Sequence, residues 1–435
     1  MSDFLDHDAR HAGQQMHTLA GQLFPINRSL TGAGVRETLG IIKQQIPDLQ
    51  LHEVKTASQC FDWTIPPEWN VKEAWVEDPD GRRIIDFAQH NLHLVGYSIP
   101  VDKEMELDEL QTHLHSLPEQ PDAIPYITSY YQERWGFCLT HNQRETLQPG
   151  KYRVKIDAEL NPKGVMNYAD LLLPGASKEE ILLSTYICHP SMANNELSGP
   201  MVATWLAKWL QSAPRAFSYR VVFIPETIGS IQYLSRHLAH LQTHVVAGFN
   251  LTCMGDERCF SYLPSRDGNT LSDRVAKHVL GHLDPDYIRY TWMDRGSDER
   301  QYCAPGVDLP IASIMRSKFH EYPEYHTSLD DLTLVTPNGL AGGYLALRRA
   351  LEVIEGNRVW RGTTICEPQM GKRGLYSTLG TRAPEAATRV RMHILSLADG
   401  NHDLIQMAER IKLPVWELLP FVQELAEHGL LEEVR

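Results

Sequence analysis

Between residues 181 and 251, three almost unbroken apolar runs alternate with two amphipathic stretches, and few architectures accept that pattern. The runs 181–187, 219–225 and 245–251 have the length and turn-bounded ends of buried strands. The stretches 199–212 and 230–240 repeat apolar residues at helical spacing. A strand that is apolar on both sides has to be covered on both faces, as in a sheet built from βαβ units. Helices expected at 8–24, 33–46, 270–283 and 337–355 supply the covering layers, and a further apolar strand is expected at 309–315. The predicted class is therefore α/β, a mixed sheet flanked by helices.

At 435 residues the chain exceeds what a single core accommodates, so two or three domains are expected. From 51 to 150 short β-rich runs (72–77, 82–87, 93–97) are separated by Asp-Pro-Asp-Gly and prolines, and aromatic residues are dense. This segment reads as a small β-rich domain inserted into the main one. Its aromatic residues, Trp63, Tyr130 and Tyr131 among them, form its core or a ligand wall. Strands near 152–159 and 168–173 read as a hairpin around Asn161-Pro162-Lys163-Gly164. From 386 onward, helices at 386–398, 403–411 and 414–428 followed by a strand at 430–434 have the order of a winged helix. The expected division is 1–50 with 151–365, then 51–150, then 366–435.

Charge and cysteine usage narrow the setting. A formal net charge of −14 disfavours nonspecific attraction to nucleic acid or anionic membrane. No run approaches the roughly 20 apolar residues that span a bilayer, and the acidic first residues lack the pattern of a signal peptide. Seven scattered cysteines without a C-x-x-C pair suit reduced thiols, so a cytoplasmic protein is expected. In the C-terminal segment from Thr388, five basic residues face eight acidic ones, and the helix 414–428 carries three glutamates and no lysine or arginine. DNA binding needs cations on phosphates, so nucleic acid is not expected as a partner. Packing against another domain, or a homo-oligomer contact, through Trp416, Leu419 and Phe421 is expected instead.

Three positions carry chemistry. His189 follows a buried strand that Pro190 stops, in Cys-His-Pro-Ser-Met-Ala-Asn-Asn-Glu-Leu-Ser-Gly. Glu226 follows another, in Phe-Ile-Pro-Glu-Thr-Ile-Gly-Ser, and His326 lies in the polar, aromatic loop Glu-Tyr-Pro-Glu-Tyr-His-Thr-Ser-Leu-Asp-Asp. In open α/β sheets ligands bind beyond the carboxyl ends of the strands, and imidazole with carboxylate there means metal ligation or acid–base work. Structural readings stand beside these: the 193–199 segment can cap a helix, and Glu226 can face the dipole of helix 230–240. The charged loop 294–300 holds a substrate's end groups or is a solvated turn.

On these motifs the chain resembles aminopeptidase-like proteins of the zinc exopeptidase superfamily that includes the M28 peptidases. More closely it looks like a bacterial group associated with polysaccharide biosynthesis, with an inserted β domain and a C-terminal winged helix. The resemblance implies a zinc-exopeptidase-like sheet, with His189 and His326 as the first and last histidine ligands and Glu226 as general base. It also shows departures: Asn195 stands for the bridging aspartate, Thr227 for the metal-binding glutamate and Thr252 for a further aspartate. One zinc ion or other divalent metal is therefore expected, on His189, Glu196 and His326. Asn195, Arg295, Asp298, Glu299, Arg300 and Tyr325 are the implied substrate contacts. The implied activity is hydrolysis of an amide bond in a small peptide. Cleavage of an N-acylated sugar or glycan precursor, or a binding role without catalysis, are the alternatives.

Overall fold

The computed structural model describes residues 5–375 and 382–434. Eight strands form the main sheet: β1 (Gln50–Lys55), β2 (Val165–Leu173), β3 (Glu180–Tyr186), β4 (Ser218–Ile224), β5 (Val245–Leu251), β6 (Ser261–Leu263), β7 (Ile288–Arg289) and β8 (Ile311–Met315). Their order is β1-β2-β4-β3-β5-β8-β6-β7. The central four, β4, β3, β5 and β8, run parallel, while β1, β2 and β6 pair antiparallel with their neighbours toward the centre.

Both faces of the central strands are apolar, as the unbroken runs require. Ile181, Leu183, Val221 and Phe223 join one core, and Leu182, Val222 and Ile224 join a second on the opposite face. Six helices flank the sheet: α1 (His7–Leu23), α2 (Ala33–Gln45), α3 (Ser198–Gln211), α4 (Ile228–His244), α5 (Leu271–Leu283) and α6 (Pro337–Gly356). All but α4 contribute to the first core, and α4 shares the second with the inserted segment. The buried Arg220 of β4 is satisfied by Glu180 at 2.6 and 3.0 Å and by Tyr233 Oη at 3.0 Å. Burying a charge without such partners would be costly.

The inserted segment occupies the gap between β1 and β2, two strands that are neighbours, with Lys55 opposite Val165. Its four-stranded sheet contains Glu68–Glu77, Arg83–Asp86, Val101–Glu106 and Lys151–Asn161. Two expectations are corrected here. Lys151–Asn161 and β2 are joined by the expected turn but enter different sheets, so they form no hairpin and 151–161 does not belong to the main domain's sheet. Residues 93–97 form no strand, because a 3-10 turn over Asn91–His93 and single bridges at Leu94 and Gly96 take their place.

At the C-terminal end, helices α7 (Arg382–Leu397), α8 (Leu404–Ile411) and α9 (Val415–Glu427) stand with a three-stranded sheet of Val359–Gly362, Asp399–Asp403 and Leu431–Glu433. The expected start at 366 leaves out the central strand of this sheet. Helix α9 turns Val415, Leu418, Val422 and Leu425 into the first core and packs on α6. Trp416 is covered by Arg349, His278 and His282. None of the helices among the described residues is long and apolar enough to cross a membrane.

Candidate active site

The loops beyond the carboxyl ends of β3, β4 and β5 meet the loop that carries His326. Each contains a residue other than glycine at positive φ: Ser191 (47°), Thr227 (65°), Cys253 (54°) and His326 (56°). Such backbone is sparsely populated, and its clustering at one end of a sheet marks a built site. The sharpest case follows Glu226. Thr227, at φ 65° and ψ −72°, is the centre of a γ-turn closed by the Ile228 N–H donating to Glu226 O at 2.8 Å, the rare strained hand of that turn. Asp298 holds this turn by accepting from Thr227 N at 2.7 Å and Ser230 Oγ at 2.8 Å, and Arg300 donates to Thr227 Oγ1 at 2.6 Å.

His189 is the centre of the arrangement. Its Nδ1 lies 2.7 Å from Glu196 Oε2, and its Nε2 lies 3.6 Å from Glu226 Oε2. Burial alone would depress this imidazole, but contact with Cys188 and Glu196 holds its pKa well above the ordinary histidine value. Glu196 is the charge that counts, because burial pushes the Cys188 thiol up to about 12 and keeps it neutral. Glu226 is raised above the ordinary carboxylate range, first by burial and then by Glu196 and Glu299, against the opposing pull of His189 and Arg300. His326 is pushed down to about 2 by burial and by His189, so it is a neutral imidazole. Its ring centroid lies 5.4 Å from that of His189, and its Nε2 is buried with no hydrogen-bond partner among the described residues.

Three of the expected substrate contacts, Arg295, Asp298 and Glu299, stand elsewhere than predicted, and Glu196 lies beside His189 on one side of its ring. Glu196 faces Nδ1 of His189, where a carboxylate orients the ring, and not the Nε2 side that looks toward Glu226. Among the described residues, the group of three whose ligand atoms lie within 4.8 Å of one another is Cys188, His189 and Glu196, without His326. Asp298 and Glu299 are buried and spent on the protein itself, the latter accepting from Gly296 N, Ser297 N and Asn250 Nδ2. Arg295 is exposed and lies over Trp292. Asn195 and Tyr325 are where expected but engaged: Asn195 Nδ2 donates to Tyr186 Oη at 2.8 Å, and Tyr325 stacks on His326 at 3.9 Å.

The inserted segment completes the site. Tyr126 N donates to His326 O at 2.9 Å, Pro125 bridges Thr327, and the Tyr126 ring packs 5.1 Å from both His189 and His326. A cavity of about 250 Å³ is lined by Leu30, Trp63, Tyr130, Tyr131, Cys188, His189, Glu226, Thr227, Ile228 and Arg300. Three of these are aromatic residues of the insert. From behind, the fully buried Arg28 donates from Nε to His189 O at 3.1 Å and places a positive charge near Glu196. Asp330 accepts from the backbone N–H groups of Asn194 (2.6 Å) and Asn195 (3.0 Å) and from Tyr322 Oη (2.9 Å), tying the His326 loop to the segment after His189. Sequence reasoning missed Arg28, Tyr126 and Asp330 as site residues; only the density of aromatics and the Asp330-Asp331 pair hinted at two of them.

The donor chemistry at this point fits a divalent cation. Asn195 Oδ1, Glu196 Oε1 and His326 Nε2 are buried acceptors left without partners among the described residues. These are oxygen and imidazole donors of the kind a divalent metal takes. Asn195, Thr227 and Thr252 at this site are neutral side chains.

Comparison with known proteins agrees with this architecture. Residues 17–357 match the family described as domain of unknown function (DUF4910), and residues 358–433 match a winged helix-turn-helix. A protein of Clostridium acetobutylicum, provisionally named a polysaccharide biosynthesis protein with an aminopeptidase-like domain, is 42% identical over 403 residues, 92% of each chain. A crystal structure from the same organism, provisionally named a peptidase, superposes with a TM-score of 0.92 at 39% identity over 98% of both chains. A zinc aminopeptidase of Bacillus subtilis superposes at 0.58 with 13% identity, over 80% of this chain and 95% of that one. An M28 peptidase precursor from Shewanella amazonensis does so at 0.56 with 11% identity, over 83% and 98%. The last two likenesses establish the fold alone. The chain belongs to the DUF4910 family, an aminopeptidase-like α/β fold joined to a winged helix.

Proposed function

We propose that this protein is a hydrolase of amide bonds in small substrates, with Glu226 as general base. The observation that carries the reading is the raised carboxyl of Glu226, fixed by a strained turn and facing His189 Nε2 across 3.6 Å at a small cavity. A carboxylate raised above its ordinary range is a stronger base and suits proton abstraction from water. Glu226 would take a proton from water as the water oxygen bonds to the amide carbon. It would then deliver that proton to the departing nitrogen as the C–N bond breaks. His189, aligned by Glu196, would orient the water or carbonyl, and the aromatic wall would exclude bulk solvent.

His189 Nε2, His326 Nε2 and the oxygen of Asn195 are the atoms that would hold one divalent cation, zinc being the form suggested by the fold relatives, with Glu226 left free as the base. Such an ion, when bound, supplies Lewis acidity and lowers the pKa of its water to about 7. The seven cysteines are free thiols, which suits a cytoplasmic protein. A second reading, cleavage of an N-acylated sugar in polysaccharide synthesis, rests on the name of the Clostridium acetobutylicum relative.

The test measures metal content after purification without added metal, together with turnover of a panel of short peptides and N-acylated sugars. Wild type is expected to hold one ion per chain. His189→Ala and His326→Ala should each lose the ion while keeping the fold. Glu226→Gln should keep it and lose about 10²–10⁴-fold or more in turnover. Unchanged turnover in Glu226→Gln would remove that residue from the chemistry, and full metal content in both histidine variants would place the ion elsewhere.

A further inference from the structure

The cavity holds a guanidinium that the proposed hydrolysis leaves unused. Arg300 lines it beside Glu226 and Thr227. Its Nη2 donates to the Thr227 hydroxyl at 2.6 Å, and its Nε is buried without a partner among the described residues. The two carboxylates that precede it in the chain are turned away: Asp298 to Thr227 N and Ser230, Glu299 to Gly296, Ser297 and Asn250. Among the described residues no carboxylate stands within 4.0 Å of the Arg300 guanidinium. The positive end of α4, which begins at Ile228, opens onto the same wall.

The remaining charges sharpen the point. His189 is matched by Glu196 on its far side, and Glu226 is the sole carboxylate in the cavity lining. A substrate entering with a free amine would therefore find no acidic anchor other than the base itself. A substrate entering with a carboxylate would find a guanidinium that no carboxylate among the described residues contacts directly, although Glu226 and Asp298 lie in its field, and charge-assisted hydrogen bonds of this type are the strong ones. Trp63 and Tyr131, edge to face at 5.7 Å and 39% and 52% exposed, offer the organic part an apolar wall at the mouth.

We infer that Arg300 is a specificity residue selecting substrates that carry a carboxylate within reach of the scissile amide. The amide rests on the hydrolase reading above; the carboxylate rests on the placement of Arg300 and is a property of binding.

Calorimetric titration of the full-length Glu226→Gln protein, in which turnover is expected to be too slow to interfere, compares three matched probes. They are N-acetylalanine (anionic), N-acetylalanine methylamide (neutral) and alanine methylamide (cationic). N-acetylalanine should bind about tenfold or more tighter than either of the others. Adding Arg300→Met should abolish that preference, and adding Arg300→Lys should keep part of it. The ratio between probes is the readout, so a general loosening of the Thr227 turn would not mimic the result. If Arg300→Met fails to fold, the ranking in Glu226→Gln and in its Arg300→Lys derivative still decides. Equal or tighter binding of the neutral or amine probe, no binding of N-acetylalanine, or an unchanged preference in Arg300→Met would overturn the inference. Correct ranking of the probes with no hydrolysis of any amide by wild type would instead overturn the hydrolase reading alone.

Discussion

Thr227 holds its positive φ without a glycine's freedom, a conformation that costs about 1–3 kcal/mol and survives only where neighbours over-determine it. Asp298 is the neighbour that does so, through two accepted hydrogen bonds. Asp298→Ala is therefore expected to destabilise the fold by about 2 kcal/mol, since it leaves buried donors unmet, and to lower turnover more than it changes KM. Asp298→Asn, which keeps an acceptor, should be milder. Denaturant midpoints and steady-state kinetics on any accepted amide check both, and normal turnover in Asp298→Ala would show that the clamp is dispensable. At this scale the sequence announced His189, Glu226 and His326, because each ends a readable strand or sits among other chemical groups. It hid Arg28, which looks like part of an ordinary Asn-Arg-Ser turn until the fold buries it. Nor could spacing tell that the Glu196 carboxylate would face Nδ1 of His189.

Among the elements, α6 shows how tightly the loop beyond β5 is held. A Cβ on Gly339 would stand 1.8 Å from the backbone oxygen of Gly255, and Thr336 N donates to that same oxygen at 3.0 Å. Gly339→Ala should thus push α6 off the loop and cost about 2–3 kcal/mol, read from the urea midpoint. A shift under about 0.5 kcal/mol would mean the helix can slide. A similar approach brings α3 onto the sheet at Gly199, whose Cβ would meet Leu251 O at 2.3 Å. The helices and central strands were legible because their burial has a period. The false hairpin at 152–173 arose because Asn161-Pro162-Lys163-Gly164 specifies a reversal of the chain and carries no information about which sheet each arm joins.

Across the whole molecule, the winged helix is docked through α9, the position that reads DNA in DNA-binding members of such folds. Val415 N donates to His278 Nε2 at 3.1 Å, and the contact requires a neutral ring. Burial, then His282, depresses His278 from 6.5 to about 4. Because the folded value is the lower one, this contribution is complete above about pH 6.5 and is lost as pH falls through 4, amounting to about 3 kcal/mol. Tryptophan fluorescence and protease nicking near residue 358, followed from pH 7 to 4, should report undocking. His278→Gln, which keeps an acceptor but cannot titrate, should flatten the profile; an unaltered profile would assign the effect to other groups. The same docking and the acidic balance of this domain predict no salt-dependent binding of duplex DNA at sub-micromolar concentration by fluorescence anisotropy. Such binding, if seen, would require α9 to leave its site.

Lys55 and Val165 face each other across an antiparallel strand pair, so the chain leaves for the insert and returns from it at almost the same point. Partners in such a pair have Cα atoms about 5 Å apart, a gap that a turn of a few residues spans. In evolutionary terms, the excursion is a graft at a site where the host strand pairing does not depend on what is attached, although the second face of the sheet has come to share its core with the insert. A shorter ancestor with a plain hairpin there would keep every central strand pairing. It would lack the covering tyrosines and the backbone bond to His326, so the host sheet could predate the walled site it now carries.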